Sequence, residues 1–257
     1  MNVASPYREF APPAALAERL VCLWTQTLGE VVHTQTVLPD GCVDIVWVGE
    51  QPAKVAGPAT HEVQVRLPAG TRLIGARFRP GWAAASFGVP ASELRDAEVA
   101  LSELWRDDAA RALDCLDPER TAQHALDTVA MALSRRLAAA PRADAEVAAA
   151  VRWLARRPAG RVSRMARDSG LGERPLQRRF DAAVGYGPKT LQRVLRLQRL
   201  LAAPALSLSQ LAPQLGYADQ AHMCRDLRAL TGATPRQLSG QGPGGLAMSD
   251  LFNTGGD

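Results

Sequence analysis

The sequence predicts an α+β N-terminal domain, an antiparallel sheet with attendant helices, followed by an all-α domain holding two helix-turn-helix units. Three observations lead there. From Leu20 to Ile74 short runs rich in Val, Ile, Thr and Trp alternate with turn signals such as Pro39-Asp40-Gly41 and Pro68-Ala69-Gly70. Between Ala83 and Ala140 the β-branched content falls, and apolar residues recur at helical spacing. Finally, the charge is divided: residues 1–141 carry 13 Lys+Arg and 17 Asp+Glu, a net of −4, whereas residues 142–239 carry 17 and 7, a net of +10. A total of +4 over 257 residues hides this asymmetry, and a binding surface responds to local field rather than to the sum.

The segments Leu20–Leu28, Val31–Leu38, Val43–Val48 and 62–67 read as strands, because period-two patterning bounded by Pro, Asp and Gly marks a half-buried pleat. From Thr121 to Ala140, Ala122, Leu126, Val129, Leu133 and Leu137 fall on one helical stripe. The helical stretch Leu101–Ala140 is the candidate surface for a second copy of the chain, with burial inside the monomer the competing reading. Pro141 marks a boundary, which gives a sensor and dimerisation domain over 1–141 and a helical domain over 142–239. The Gly-rich segment 240–257 is expected to be disordered.

Length sets a prior of about two domains, each able to bury a core. No run approaches the roughly 18 apolar residues that a membrane span needs, and the first sixteen residues lack a leader's pattern; a cytoplasmic location without membrane contact is expected. Cys22, Cys42, Cys115 and Cys224 lie far apart, without zinc-ligand spacing, and no cofactor is expected. G-x-S-x-G, P-loop, G-x-G-x-x-G and H-E-x-x-H motifs are absent, so the sequence gives no enzyme signature. The alternative is an architectural or repair-type DNA binder with a reactive Cys42.

The informative region begins at Arg161. Val162–Ser169 is a short helix with Ser163 as candidate cap, Gly170-Leu171-Gly172 a tight turn, and Glu173–Ala183 a second helix with Leu176 and Phe180 inward. About 45 residues later the pattern recurs. Leu208–Leu215 is the short helix, Gly216-Tyr217 the turn, and Asp219–Leu230 the second helix, with Asp219 as N-cap and either His222 or Met223 starting its inner face. Between the units Pro188 opens a strongly apolar helix to Ala203, which at 1.5 Å per residue spans about 22 Å. With the flanking bundles, that length suits two reading helices in successive major grooves about 34 Å apart.

The runs Leu176-Gln177-Arg178-Arg179-Phe180, Val184-Gly185-Tyr186-Gly187-Pro188, Leu195-Arg196-Leu197-Gln198-Arg199, Leu215-Gly216-Tyr217-Ala218-Asp219-Gln220-Ala221-His222 and Thr231-Gly232-Ala233-Thr234-Pro235 resemble the tandem helix-turn-helix domain of AraC/XylS-type bacterial transcriptional regulators. The resemblance covers about residues 143–239 and implies a DNA-binding regulator. It places base reading on Arg174, Gln177 and Arg178 of the first unit and on Gln220, Ala221, Cys224 and Arg225 of the second. Met223 and Leu227 depart from the usual phenylalanines. The chemistry agrees, since Arg pairs bidentately with guanine and Gln with adenine. Arg161, Arg164, Arg167, Arg179, Lys189, Arg193 and Arg228 are the candidate phosphate contacts.

Leu38–Trp47 and Gly75–Trp82 are similar to segments of an N-terminal domain that precedes this DNA-binding domain in many bacterial regulators. That implies a small-molecule effector of unidentified chemistry. Trp24, Trp47 and Trp82 with Asp44, Arg77 and Arg79 are the candidate pocket, Arg77 and Arg79 sharing one face of a strand; core packing of the tryptophans is the competing reading. Double-stranded DNA, the effector, RNA polymerase and a second copy of the chain make up the expected partners.

Overall fold

The structure, a computed structural model, describes residues 7–106, 113, 116, 121–203 and 207–240. Its first part is built on a six-stranded antiparallel sheet of β1 (Tyr7–Phe10), β2 (Leu20–Thr27), β4 (Val43–Val48), β5 (Lys54–Ala56), β7 (Arg72–Phe78) and β8 (Glu98–Ala100), in the order β1-β2-β7-β4-β5-β8. A separate antiparallel pair, β3 (His33–Val37) and β6 (Val63–Leu67), lies against one face. Each predicted strand is present to within a few residues.

Alternation decides which side chains meet. Leu23, Ile45, Trp47, Ile74, Ala76 and Phe78 share one core with Leu126, Val129, Leu133 and Leu137 of α3 (Ala122–Leu137) and with Phe87 at the end of α1 (Ala83–Phe87). The other face carries Cys22, Trp24 and Leu73, packed with Leu28 and Leu67. On this face Trp24 lies flat across Gly75: a β-carbon there would stand 2.0 Å from the indole ring. The helical stripe predicted over residues 121–140 therefore buries on the chain's own sheet. This corrects the expectation that it faces a second copy; of its large apolar residues only Met131, 52% exposed, points outward. The short α2 (Leu101–Leu104) precedes a stretch of which only Leu113 and Leu116 are described, so Cys115 lies outside the described residues.

The second part is all helix: α4 (Ala145–Arg156), α5 (Val162–Asp168), α6 (Glu173–Val184), α7 (Pro188–Leu201), α8 (Leu208–Gln214), α9 (Gln220–Thr231) and α10 (Pro235–Gly240). Their core gathers Leu154, Met165, Leu176, Phe180, Leu191, Leu197, Met223, Leu227 and Leu230 around α7. Gly170 and Gly216 take positive φ, 69° and 78°, at the two predicted turns, a conformation that glycine adopts without steric cost. Asp219 caps α9 by accepting from the His222 amide at 2.6 Å, and Met223 rather than His222 begins its buried face. Ser163 is not a cap. Arg161 occupies that position without a side-chain bond, and Ser163 is exposed inside the helix. The disorder expected of 240–257 falls, apart from Gly240, outside the described residues.

Arg19 donates to the carbonyls of Ala140 and Pro141 at 2.9 and 3.0 Å and stacks 5.0 Å from the Trp82 ring centre, which fixes the end of the first part to its own fold. The two parts then touch along a seam. Gln198 of α7 donates to the Pro39 carbonyl at 2.5 Å, and Arg95 donates to the Gly185 carbonyl at 3.2 Å. The Gly75→Ala substitution should cost about 1–3 kcal/mol, because Trp24 must leave its place over the strand. Urea denaturation of the two proteins side by side measures it, and an unchanged midpoint would mean that the indole is not held there.

Candidate nucleic-acid interface

Two helix faces are left open by the packing just described. On α6, Leu176 and Phe180 point into the core, which turns Arg174 and Arg178 to solvent. On α9, Met223, Leu227 and Leu230 point inward, leaving Gln220, Ala221 and Arg225 exposed and Cys224 partly so. Gln177 differs from its neighbours, since its amide folds back against Gly187 at the start of α7. Around these faces Arg161, Arg164, Arg167, Lys189 and Arg228 are exposed, and Arg164 makes only an i,i+4 pair with Asp168 at 3.7 Å.

Two of the predicted phosphate contacts are engaged within the protein. Arg179 directs its Nε and Nη2 at the Asp144 carboxylate, 2.6 and 2.8 Å away, and Nη2 also reaches Glu146 at 2.6 Å. Its fork is thus closed on the start of α4. The Asp144 carboxyl in turn caps α4 by accepting from the Val147 amide at 3.0 Å. Arg193 is paired with Asp226, whose other oxygen accepts from the Tyr217 hydroxyl at 2.9 Å. These bonds hold the reading helices to the scaffold; they engage Nε and Nη2 of Arg179 and Nε of Arg193.

The six effector candidates fall in three places. Arg77 and Asp44 lie directly opposite on paired strands, with Cys22 across from Arg77 on its other side. Arg77, 1% exposed, donates to Asp44 at 3.0 and 3.2 Å and stands 3.6 Å from Asp40 and 3.7 Å from Glu9. Burial would lower its pKa, but Asp44 and Asp40 outweigh that and hold the guanidinium protonated far above its ordinary range. Trp24 lies on the same face, against Tyr7 with ring centres 5.7 Å apart. Trp47 does not join them. It belongs to the opposite core, where its indole N–H donates to the Leu113 carbonyl at 2.6 Å. Arg79 and Trp82 lie beyond the end of the strand, at the seam between the two parts. The expectation that Arg77 and Arg79 share a strand face is corrected accordingly: β7 ends at Phe78, and Arg79 donates to the Ala17 carbonyl instead.

Cys42 is fully buried, and burial followed by the Asp40 carboxylate pushes its thiol well above the usual range. Burial raises Cys22 in the same way. Nucleophilic attack needs the thiolate, so a repair reaction at Cys42 has no support in this geometry. Among the described residues no cluster of His, Cys, Asp or Glu could hold a metal, and no described helix is long and apolar enough to cross a membrane.

Residues 165–241 match the family described as a helix-turn-helix domain, and residues 8–100 match a domain of unknown function. The C-terminal region is an AraC-type helix-turn-helix domain. AraC-type domains are found in DNA-binding transcriptional regulators, and the two open helix faces belong to that domain. Among solved structures, ToxT from Vibrio cholerae aligns with 87% of this chain and 99% of its own at 8% identity and a TM-score of 0.47. An unsaturated fatty acid-bound ToxT from the same organism aligns with 86% of this chain and 96% of its own at 10% identity and a TM-score of 0.43. No sequence among curated proteins matches the chain.

Sequence reasoning missed what joins the AraC-type domain to the sheet: Arg95, the buried Tyr186 and Gln198 of α7. Only Gln198 carried a signal, as an amide interrupting an otherwise apolar helical stripe.

The Asp144 clamp has a pH signature. Burial raises the Asp144 carboxyl, but the Arg179 hydrogen bonds and the Val147 amide lower it further, so the net shift is downward. A carboxyl depressed in the folded state adds stability above its unfolded pKa of about 3.9 and loses it as pH falls toward the folded value. Asp144→Asn keeps a good cap but surrenders the ion pair, whereas Asp144→Ala loses both and should cost about 1–2 kcal/mol at pH 7. Urea melts of wild type and Asp144→Asn across pH 7 to 2 should converge at the acid end; a gap that stays constant would remove the carboxylate from the account.

Proposed function

We propose that the chain is a sequence-specific transcriptional regulator in which residues 142–239 read duplex DNA, residues 1–141 sense a small molecule, and 240–257 form a tail. The observation that carries this is the pair of unpacked reading faces, Arg174 and Arg178 on α6 and Gln220 and Arg225 on α9, on helices whose other faces are locked into one core. Base contacts come from these four with Gln177, Ala221 and Cys224 beside them. Register and affinity come from Arg161, Arg164, Arg167, Lys189 and Arg228, because phosphate contacts orient a protein without reading sequence. Its output is occupancy of DNA rather than catalysis.

The sensor role rests on the arrangement of the first part, a sheet domain seamed to the reading domain by Arg95 and Gln198. An effector alters DNA binding only if it favours one arrangement of the two parts over another, and a seam of a few polar contacts can be shifted in that way. The protein acts in the cytoplasm and meets RNA polymerase at its promoters; a homodimer, if formed, uses a surface other than the stripe of α3.

Gel shifts on the DNA upstream of the protein's own gene test the reading. Between 50 and 200 mM salt the affinity should fall by roughly 10³–10⁵, as expected for about 6–10 phosphate contacts. Arg178→Ala should relax preference at one base pair, worth about 1–3 kcal/mol, while Arg167→Ala should weaken all sequences equally and lower the salt slope by about one. Binding that ignores sequence throughout would refute the proposal.

A further inference from the structure

The two reading helices match residue for residue. Each runs for 12 residues and closes on a glycine, and their first residues, Glu173 and Gln220, stand 47 positions apart. At that offset the buried positions coincide: Leu176 with Met223, Phe180 with Leu227 and Ala183 with Leu230. So do two residues tied back into the protein, Arg179 on Asp144 and Asp226 under Arg193 and Tyr217. The faces turned away from the core coincide as well, because 3.6 residues per turn carry i, i+3 and i+4 to one side. On α6 that face is Arg174, Gln177, Arg178 and Asp181; on α9 it is Ala221, Cys224, Arg225 and Arg228.

Their chemistry differs at the end that matters most, since the N-terminal residues of a reading helix meet the base edges. There α6 carries Arg174, whereas α9 carries Ala221 and, one turn on, Cys224. Ala221 is exposed and Cys224 half-buried. An alanine side chain has no polar atom, and a thiol is a weak donor that behaves as a small apolar group. The one carboxylate of α9, Asp226, binds Arg193 and Tyr217 away from this face. A short apolar surface in the major groove recognises the 5-methyl of thymine, the apolar group that base edges display there. Charge divides the units in the same way. Arg161, Arg164, Arg167, Arg174, Arg178 and Lys189 are exposed around the first, against Arg225 and Arg228 at the second, where the exposed Asp219 also caps α9.

We propose that the second unit selects thymine by its methyl group, seated against Ala221 and Cys224, while the first unit supplies most of the electrostatic hold. The operator is therefore unlike in its two halves, with guanine beneath Arg174 and Arg178 and thymine beneath Ala221 and Cys224, their centres about 10 base pairs apart. The step from Ala221 to Cys224 advances about 4.5 Å along the helix, little more than one base-pair rise, so the two contacts fall on neighbouring pairs. The inference rests on the regulator reading above and adds to it the base that one helix takes.

The test starts from duplexes that the full chain selects out of a random pool, with Arg178→Ala marking the half covered by the first unit. Deoxyuridine in place of thymidine in the other half removes the methyl and keeps the pairing. Affinity should fall about fourfold for each methyl lost, the worth of one buried carbon. The same replacement in the first half should change nothing. A C·G pair at a contacted position should bind more tightly once its cytosine carries a 5-methyl. A221S and C224S, close to the native residues in size, should keep the melting temperature and erase the difference between thymine and uracil. The base replacements use the wild-type protein, so they decide the matter even where a variant misfolds. No cost of uracil in the second half, an equal cost in both halves, no gain from the methyl on cytosine, or a uracil penalty that survives in both variants would each overturn the proposal. A pool that yields no preferred sequence defeats the regulator, and this inference with it; a preferred sequence in which uracil costs nothing defeats the inference alone.

Discussion

A single helix, Pro188–Leu201, constrains everything else in the C-terminal part. Leu191, Val194, Leu195 and Leu197 are fully buried on it, so it has no side to give to solvent along most of its length. Both helix-turn-helix units share one core with it. Its polar residues are drawn into the same task. Gln192 donates to the carbonyls of Pro158 and Gly160 at 2.9 and 2.6 Å, and Arg196 donates to the same Pro158 carbonyl at 2.9 Å while stacking 4.9 Å from the Tyr217 ring centre. These bonds satisfy buried carbonyls that would otherwise carry the desolvation penalty of unpaired groups. Two reading helices held to one rigid rod present their open faces in a fixed relation, which is what reading two successive grooves demands.

The first part follows from a different constraint, the pleat. Because side chains alternate, Arg77 and Asp44 must meet once β4 and β7 pair in register, and the guanidinium is buried among acids. Removing either partner of such a pair would leave an uncompensated buried charge. Burial pushes the Asp44 carboxyl upward and Arg77 pulls it back, leaving it raised. The acidity of the first part, visible as a net of −4, is therefore partly internal: Glu9, Asp40 and Asp44 all serve one arginine.

Much of this was legible in the sequence where the signal is local. Strands bounded by Pro-Asp-Gly, the turn glycines Gly170 and Gly216, the Asp219 cap and the inward Leu176 and Phe180 are each set within about ten residues of chain. The second unit could be read despite Met223 and Leu227, because a helix needs an apolar stripe and not a particular residue; burial of either still yields about 1.5–3 kcal/mol. Grouping Trp47 with Asp44 in one pocket failed on parity alone. Three residues apart on a strand, they point to opposite faces, and the spacing already said so. The seam was hidden for a better reason. Gln198 and Pro39 are brought together only by the docking of two cores, and no periodicity in either segment encodes the other. Likewise nothing in its own helix reveals that Arg179 meets Asp144.

Gln198 adds a mechanical consequence. It sits on the same rod as Gln192, but its amide reaches out of the AraC-type domain to the Pro39 carbonyl, in the loop whose Asp40 carboxylate caps the Cys42 amide at 2.8 Å and faces Arg77. The rod is thus tied to the sheet domain through the same loop that carries Asp40, and Arg95 holds the Gly185 carbonyl just before the rod begins. Any change at the buried Arg77 cluster that moves this loop therefore pulls on the one helix whose core both reading helices share.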